Sequence, residues 1–305
     1  MKKIVIGARG SKLSLAYADR VKKLLLEKDP HITDDLIEIQ SITTSGDIFH
    51  DKKLSDIGGK NLFCKEIEEN LLSKKIDIAV HSLKDMESKE NKNLIIGAHI
   101  QRNDARDVFI SNKHIGFKEL KNGAIIGSSS KRRELQLKLI NPNITVAKIR
   151  GNIDTRIKKL EEGKIDGIIL AAAGVKSLNF ENKIKQFFNF KEMLPAAGQG
   201  VIAAQCRRND NDIKNILQNI SHYETMCCAS AEKEMLRVIG GDCDTAVGSF
   251  ATLKNNIIKL SVQLFSDEGR NFFSFEDTGN KDDYLKIGQK VGKKILQLAG
   301  TEFKK

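Results

Sequence analysis

Five segments in the first half of this 305-residue chain set a basic residue beside glycines or small hydroxyl residues. They are Arg9-Gly10-Ser11, Gly58-Gly59-Lys60, Ser82-Leu83-Lys84-Asp85, Gly127-Ser128-Ser129-Ser130-Lys131-Arg132-Arg133 and Arg150-Gly151-Asn152. Each reads as a strand end or a helix start, where free backbone N–H groups and a fixed cation together hold an anion. One such segment is common. Five point to a ligand that carries several carboxylates or phosphates and is gripped from several sides.

The individual segments differ in chemistry. Arg132 and Arg133 offer rigid two-pronged forks that suit a carboxylate or phosphate and stay charged at any working pH. A solvated basic helix start would look the same. The spacing Ser128-x-x-Lys131 also matches the serine nucleophile of penicillin-binding enzymes, but the companion S-D-N and K-T-G motifs are absent. Arg156, near the first turn of the helix after Arg150-Gly151-Asn152, repeats the arginine logic. Gly58-Gly59-Lys60 fails as a phosphate-binding P-loop, because Leu54 stands where its first glycine belongs and Asn61 where Ser or Thr must follow. Asp85 is a lone carboxylate among cations. It is suited to stabilise a transient positive charge or to move protons, and an ion pair with Lys84 or an arginine is the competing reading. His81 reads as a packed, hydrogen-bonded residue. Cys243 sits in a glycine-rich loop, Gly240-Gly241-Asp242-Cys243-Asp244, where nearby cations would favour its thiolate. From the loop residues alone, a structural thiol is the favoured reading.

The elements that must position these residues follow from hydrophobic periodicity. Lys3–Ala8 predicts a buried strand, and Ser11 a cap for the amphipathic helix that stops before Pro30. Strands are predicted over Leu36–Ile42, Ile76–Val80, Ile125–Ile126, Thr145–Ile149, Ile168–Leu170 and Gly198–Cys206. Helices are predicted over Leu62–Leu72, near Lys131–Ile140 and over Asn152–Glu162. This alternation predicts an α/β fold with largely parallel sheets, whose carboxyl ends carry the basic segments. After Ser221 a helix to Val238 leads into the cysteine loop. Strands over Val247–Leu253, Ile257–Phe265 and Asn271–Glu276 follow, then a helix over Asp283–Leu298. That order predicts a small α+β domain with an antiparallel sheet.

Composition narrows the functional classes. Hydrophobic content of 40% and charged content of 30% are those of a globular protein, and the net charge of +11 attracts anions of every kind. No apolar run approaches the ~20 residues of a membrane span, and the apolar stretch after Met1-Lys2-Lys3 is too short for a signal peptide. A cytoplasmic location is expected. The five cysteines, at 64, 206, 227, 228 and 243, form no C-x-x-C and support neither a zinc site nor a disulfide framework. Aromatic content of 6% without tryptophan leaves a nucleic-acid binder short of stacking platforms. A non-catalytic anion-binding protein explains the basic segments but gives Asp85 and Cys243 no task.

Taken in order, these segments resemble the hydroxymethylbilane synthase (porphobilinogen deaminase) family. The resemblance runs from Ile4–Ser11 through Gly58–Phe63, Ala79–Asp85, Gly127–Arg133, Arg150–Arg156 and Leu194–Gly200 to the loop Gly240–Gly248. It implies a transferase that condenses four porphobilinogen molecules head to tail, with loss of ammonia at each addition, and hydrolytic release of the tetrapyrrole. It also implies a dipyrromethane cofactor joined by a thioether to Cys243, with Asp85 as the catalytic carboxylate. Cofactor contacts fall on Ser82, Lys84, Ser129, Ser130, Arg132, Arg133 and Arg156. Substrate contacts fall on Arg9, Ser11, Lys60, Arg150, Gly151 and Gln199.

The family fold implies two domains similar to type II periplasmic binding proteins, 1–98 with 200–218 and 99–199, and a cleft between them. A third domain, 219–305, carries the cysteine loop. A monomer that needs no metal or nucleotide is expected. Several positions depart from the family pattern: Tyr17 replaces a usual glutamine, Asp56 a frequent lysine, Ser177 an arginine, and Glu87 and Ala246 replace prolines.

Overall fold

The computed structural model describes residues 3–45, 64–89, 91–113, 116–241, 245–266 and 268–303. Lys60, Asp56 and Cys243 lie outside the described residues, as do Gly58, Gly59 and the start of the helix predicted from Leu62.

The first half of the chain holds strands β1 (Ile4–Arg9), β2 (Ile37–Ile42), β3 (Ile78–Ser82), β4 (Leu94–His99), β5 (Asp107–Ile110), β6 (Ile125–Gly127) and β7 (Thr145–Ala147). They are followed by β8 (Gly167–Ala171), β9 (Ile184–Phe187), β10 (Ile202–Arg207), β11 (Val247–Lys254), β12 (Ile257–Phe265) and β13 (Phe272–Asn280). The α-helices used below are α1 (Lys12–Lys28), α2 (Lys65–Leu72), α3 (Lys131–Ile140), α4 (Ile153–Glu161), α5 (Ala172–Ser177), α6 (Asn211–Gln218), α7 (Tyr223–Ile239) and α8 (Tyr284–Ala299).

The chain divides into two units, Met1–Arg102 with Val201–Met226 and Asn103–Gly200 with Cys227–Lys305. In the first unit, a five-stranded sheet has the order β2-β1-β3-β10-β4. Strands β2, β1 and β3 are parallel, while β10 runs antiparallel to both β3 and β4. One face packs on α1 and α6 through Ile6, Val21, Leu25, Val80, Ile213 and Leu217. The other packs on α2 through Ile67, Leu71, Ile76 and Ala79.

The second unit repeats the plan with the order β7-β6-β8-β5-β9. Here β6, β7 and β8 are parallel, and β5 is antiparallel to β8 and β9. Alternation along β5 is strict: Val108 and Ile110 enter one core cluster and Phe109 the other. A second, three-stranded antiparallel sheet, β11-β12-β13, completes this unit with α8.

The prediction of largely parallel sheets is therefore corrected to mixed ones. Strands β4, β5 and β9 were absent from the sequence reading. The chain leaves the first unit after β4 and re-enters it at β10. Such a strand is not closed by a βα crossover, so the rule that enforces parallel neighbours does not act on it. The C-terminal antiparallel sheet was predicted, and β13 runs four residues further than the expected Glu276.

Candidate active site

Two of the basic segments, Arg9–Ser11 and Ser82–Asp85, lie at described strand ends of the first unit. Register pairs Ala8 with Val80, so Arg9 ends β1 beside His81, one residue before the end of the parallel strand β3. The Gly10 N–H donates to Ile42 O at 3.2 Å, which seats this turn on β2 as well. Ser11 behaves as predicted from its type: its Oγ accepts the Ser14 N–H at 3.2 Å and caps α1. Its buried hydroxyl is thus engaged with the helix start.

Beyond β3 the chain makes a single 3-10 turn, Leu83–Asp85. Leu83 is fully buried and its N–H donates to Val201 O at 3.0 Å, so β10 clamps the turn from behind. Lys84 is half-buried and Asp85 exposed. The Asp85 carboxylate makes no hydrogen bond or ion pair to another described residue. The competing reading of an Asp85–Lys84 pair is not realised. A negative charge on a rigid turn, beside the cationic ends of β1 and β3, can meet an N–H donor or a developing cation.

In the second unit the hydroxyl–arginine cluster opens α3. Ser130 caps the helix, its Oγ taking the Arg133 N–H at 3.4 Å, and Ser129 is exposed with its hydroxyl donating to Ile149 O. Arg132 and Arg133 turn inward and are only 4% and 6% exposed. Both meet Asp107, which is fully buried: Arg132 Nη1 at 2.7 Å from Oδ2, and Arg133 Nη2 and Nε at 2.7 and 3.0 Å from Oδ1. Arg132 Nη1 also donates to Leu194 O at 2.7 Å and Arg133 Nη1 to Ile169 O at 3.0 Å.

Gln199, also fully buried, donates from Nε2 to Ala105 O at 2.7 Å and to Asp107 Oδ1 at 3.0 Å. Burial pushes the Asp107 carboxyl up, but the charges and hydrogen bonds of Arg132 and Arg133 outweigh it and hold it well below the usual carboxylate range. Burial lowers the Arg132 guanidinium. One carboxylate against two guanidiniums leaves the cluster with a net positive charge.

Asp107 is the residue that sequence reasoning missed. The only available signal was a charged residue opening an otherwise apolar run, Val108-Phe109-Ile110.

The third cluster follows β7. Gly151 has φ +111°, and a Cβ there would meet the Thr155 side chain at 2.7 Å, so the turn requires glycine. The Gly151 carbonyl accepts Arg156 Nε at 2.8 Å, tying the half-buried Arg156 to the turn, and Arg150 is exposed beside it. At the departure Ser177, the hydroxyl back-bonds to Ala173 O at 2.8 Å. Its neighbour Lys176 and Arg106 together hold Asp104 at 2.9 and 2.7 Å.

Two buried histidines of the first unit give a pH prediction. Burial lowers both His81 and His99 from 6.5 to about 4. A lowered histidine binds its proton more readily in the unfolded chain. Its contribution is therefore complete above pH about 6.5 and is lost as pH falls toward about 4. Urea midpoints measured across that window fall with acidification, and His99→Asn flattens the decline. A flat wild-type profile overturns this reading.

The molecule is thus of the mixed α/β class, with arginines, hydroxyls and, among the described residues, the unpartnered Asp85 carboxylate near its strand ends. Two family descriptions match the chain: "Porphobilinogen deaminase, dipyromethane cofactor binding domain" over residues 4–215 and "Porphobilinogen deaminase, C-terminal domain" over residues 226–297. The chain belongs to the porphobilinogen deaminase family, transferases of tetrapyrrole biosynthesis.

The porphobilinogen deaminase of Coxiella burnetii is 39% identical over 297 residues, spanning 97% of this chain and 95% of that protein. That of Alkaliphilus metalliredigens is 37% identical over 99% of this chain and 95% of that one. The one from Clostridium acetobutylicum is 39% identical over 97% and 99%. Among solved structures, the methionine binding protein MetQ is similar with a TM-score of 0.46 at 12% identity, over 76% of this chain and 94% of that one.

Proposed function

We propose that this enzyme joins porphobilinogen units stepwise, with Asp85 as its catalytic carboxylate and Cys243 as the attachment point of its dipyrromethane cofactor. The observation that carries the proposal is the exposed Asp85 carboxylate, without a described partner, on a turn clamped by β10.

The residues fit the cofactor. A dipyrromethane presents carboxylates and pyrrole N–H groups. Lys84, Arg156 and the net positive Arg132–Arg133–Asp107 cluster suit the former, joined by the exposed Ser129 hydroxyl once it turns from Ile149 O, and a carboxylate such as Asp85 suits the latter. When bound, the group supplies a covalent primer with a free pyrrole carbon for the first new bond.

Each addition expels ammonia from the aminomethyl carbon of porphobilinogen and leaves that carbon electron-poor. That carbon would then bond the free α-carbon that the primer supplies, with release of the α-proton. Asp85 accepts the pyrrole N–H and offsets the positive charge as it develops. Arg9, Lys60 and Arg150 take the acetate and propionate groups through charge-assisted hydrogen bonds. Ser82 and the glycine turn at 151 add neutral donors, while Ser11, Ser130 and Gln199 hold the surrounding backbone and Asp107. The C-terminal part, residues 219–305, serves as the carrier of the Cys243 loop.

Among the described residues no helix is long and apolar enough to cross a membrane. We place the enzyme in the cytoplasm, as a monomer that uses its positive charge on substrate rather than nucleic acid. Steeply salt-dependent binding to random DNA would overturn that last point.

Denaturing intact-mass spectrometry with and without porphobilinogen, beside Cys243→Ser, tests the function. The expected result is a covalent two-pyrrole adduct that extends with substrate and is missing in the variant. An unmodified wild-type chain removes the cofactor assignment, and an adduct retained in Cys243→Ser moves the attachment elsewhere.

A further inference from the structure

We infer that helix α2 positions the Asp85 turn through a buried polar chain, Glu68–Gln205–His81, with Cys64 as a second anchor. The inference rests on Asp85 being the catalytic carboxylate, since positioning matters only if that group meets substrate.

Antiparallel register pairs His81 with Ala203 and Ala79 with Gln205. Alternate residues of a strand share a face, so His81 and Gln205 lie diagonally on the same side of the sheet. That side packs on α2, where Ala79 meets the cluster of Ile67 and Leu71. Gln205, 1% exposed, donates from Nε2 to Glu68 Oε1 at 2.9 Å.

This bond fixes the carboxamide, so its Oε1 is the end turned to His81. His81 is itself buried, and the Gln205 amide works against burial by raising the imidazole pKa, as an oxygen acceptor does. The contact is loose: neither His81 Nε2 nor Gln205 Oε1 has a partner at full hydrogen-bond geometry. An oxygen opposite a ring nitrogen is tolerated only when that nitrogen carries the proton. The arrangement thus selects the neutral Nε2–H tautomer.

One turn of helix before Glu68, Cys64 Sγ lies 3.9 Å from the Asp85 carbonyl oxygen. Cys64, the N-cap of α2, and Glu68 are one turn apart on one face, which meets the Asp85 end of the segment directly and faces the His81 end through Gln205. Any displacement of α2 is transmitted to the catalytic turn at two points. A shift of about 1 Å at a reacting group can cost about a hundredfold in rate.

The experiment uses the cofactor-loaded enzyme, 15N-labelled at histidine, with His81 assigned through His81→Asn. Expected are an Nε2–H tautomer in the wild type and kcat losses of about tenfold to a hundredfold in Glu68→Leu and Gln205→Leu. KM stays within about twofold, because the carboxylate-binding cations are untouched. Gln205→Leu shifts the tautomer. Glu68→Gln, whose side-chain oxygen still accepts from Gln205, keeps both the tautomer and most of kcat. Glu68→Leu with Gln205→Leu costs no more than either alone, as for two links of one chain.

An Nδ1–H tautomer in the wild type, a tautomer indifferent to Gln205→Leu, or a Glu68→Gln as impaired as Glu68→Leu overturns the inference. If the leucine variants do not fold, the wild-type tautomer and Glu68→Gln decide alone. Asp85→Asn separates the two ideas: full turnover there removes the role of Asp85 whatever His81 reports.

Discussion

Asp85→Ala lowers turnover about a hundredfold to a thousandfold, the cost typical of losing one preorganised electrostatic contact to a developing charge. Folding is nearly unaffected, because the side chain is exposed and holds no described residue. Surface truncations of this kind stay within about 0.5 kcal/mol. Under the proposed function cofactor attachment survives as well, since that reading assigns it to the thiol of Cys243 and not to the carboxylate. The measurements are single-turnover consumption of porphobilinogen, intact mass and urea midpoint on one preparation. Asp85→Glu keeps the charge but moves it by one methylene, and recovers part of the rate. Equal loss of turnover and of attached cofactor would assign Asp85 a structural role instead.

The second large effect is on stability. Asp107→Ala removes the carboxylate that Arg132, Arg133 and Gln199 share. Two buried guanidiniums then face each other without compensation. Breaking a buried pair by deleting one partner costs about 3–5 kcal/mol. Asp107→Asn keeps one of the two acceptor oxygens but loses the charge and the other acceptor, so it falls between wild type and Asp107→Ala.

The pH dependence has a definite sign. Because the folded carboxyl is held below its ordinary value of 3.8, this contribution is present above that pH and disappears on further acidification. Urea unfolding of the three proteins at neutral pH and near pH 3 checks both statements. Equal midpoints for wild type and Asp107→Ala would show that the cluster adds nothing to folding.

The same cluster limits what a list of charged residues can say. Arg132 and Arg133 read in sequence as two forks free for a ligand. In the structure their guanidiniums are buried, and Asp107 engages both. The cluster keeps a net positive charge, but both forks are engaged. Gln199, expected at the substrate from family resemblance, is a third donor to the same carboxylate. Its partner lies 92 residues away in sequence, which no spacing rule reaches.

Local patterns determined much of this protein from sequence alone. The hydroxyl cap at Ser11, the helix start at 128–133, the glycine turn at 151 and the apolar runs of β1, β3 and β6 are decided by interactions within a few residues. They were legible for that reason, as was the order of basic segments that marks the family. What the tertiary structure decided is pairing across long separations. It placed β10 antiparallel between β3 and β4, set Asp107 under two arginines and aligned Gln205 between Glu68 and His81. It also left Asp85 without a described partner where an ion pair with its neighbour was the simpler expectation. Each of these outcomes depends on which strands become neighbours, and that is settled by the burial of whole sheet faces rather than by any local run of residues.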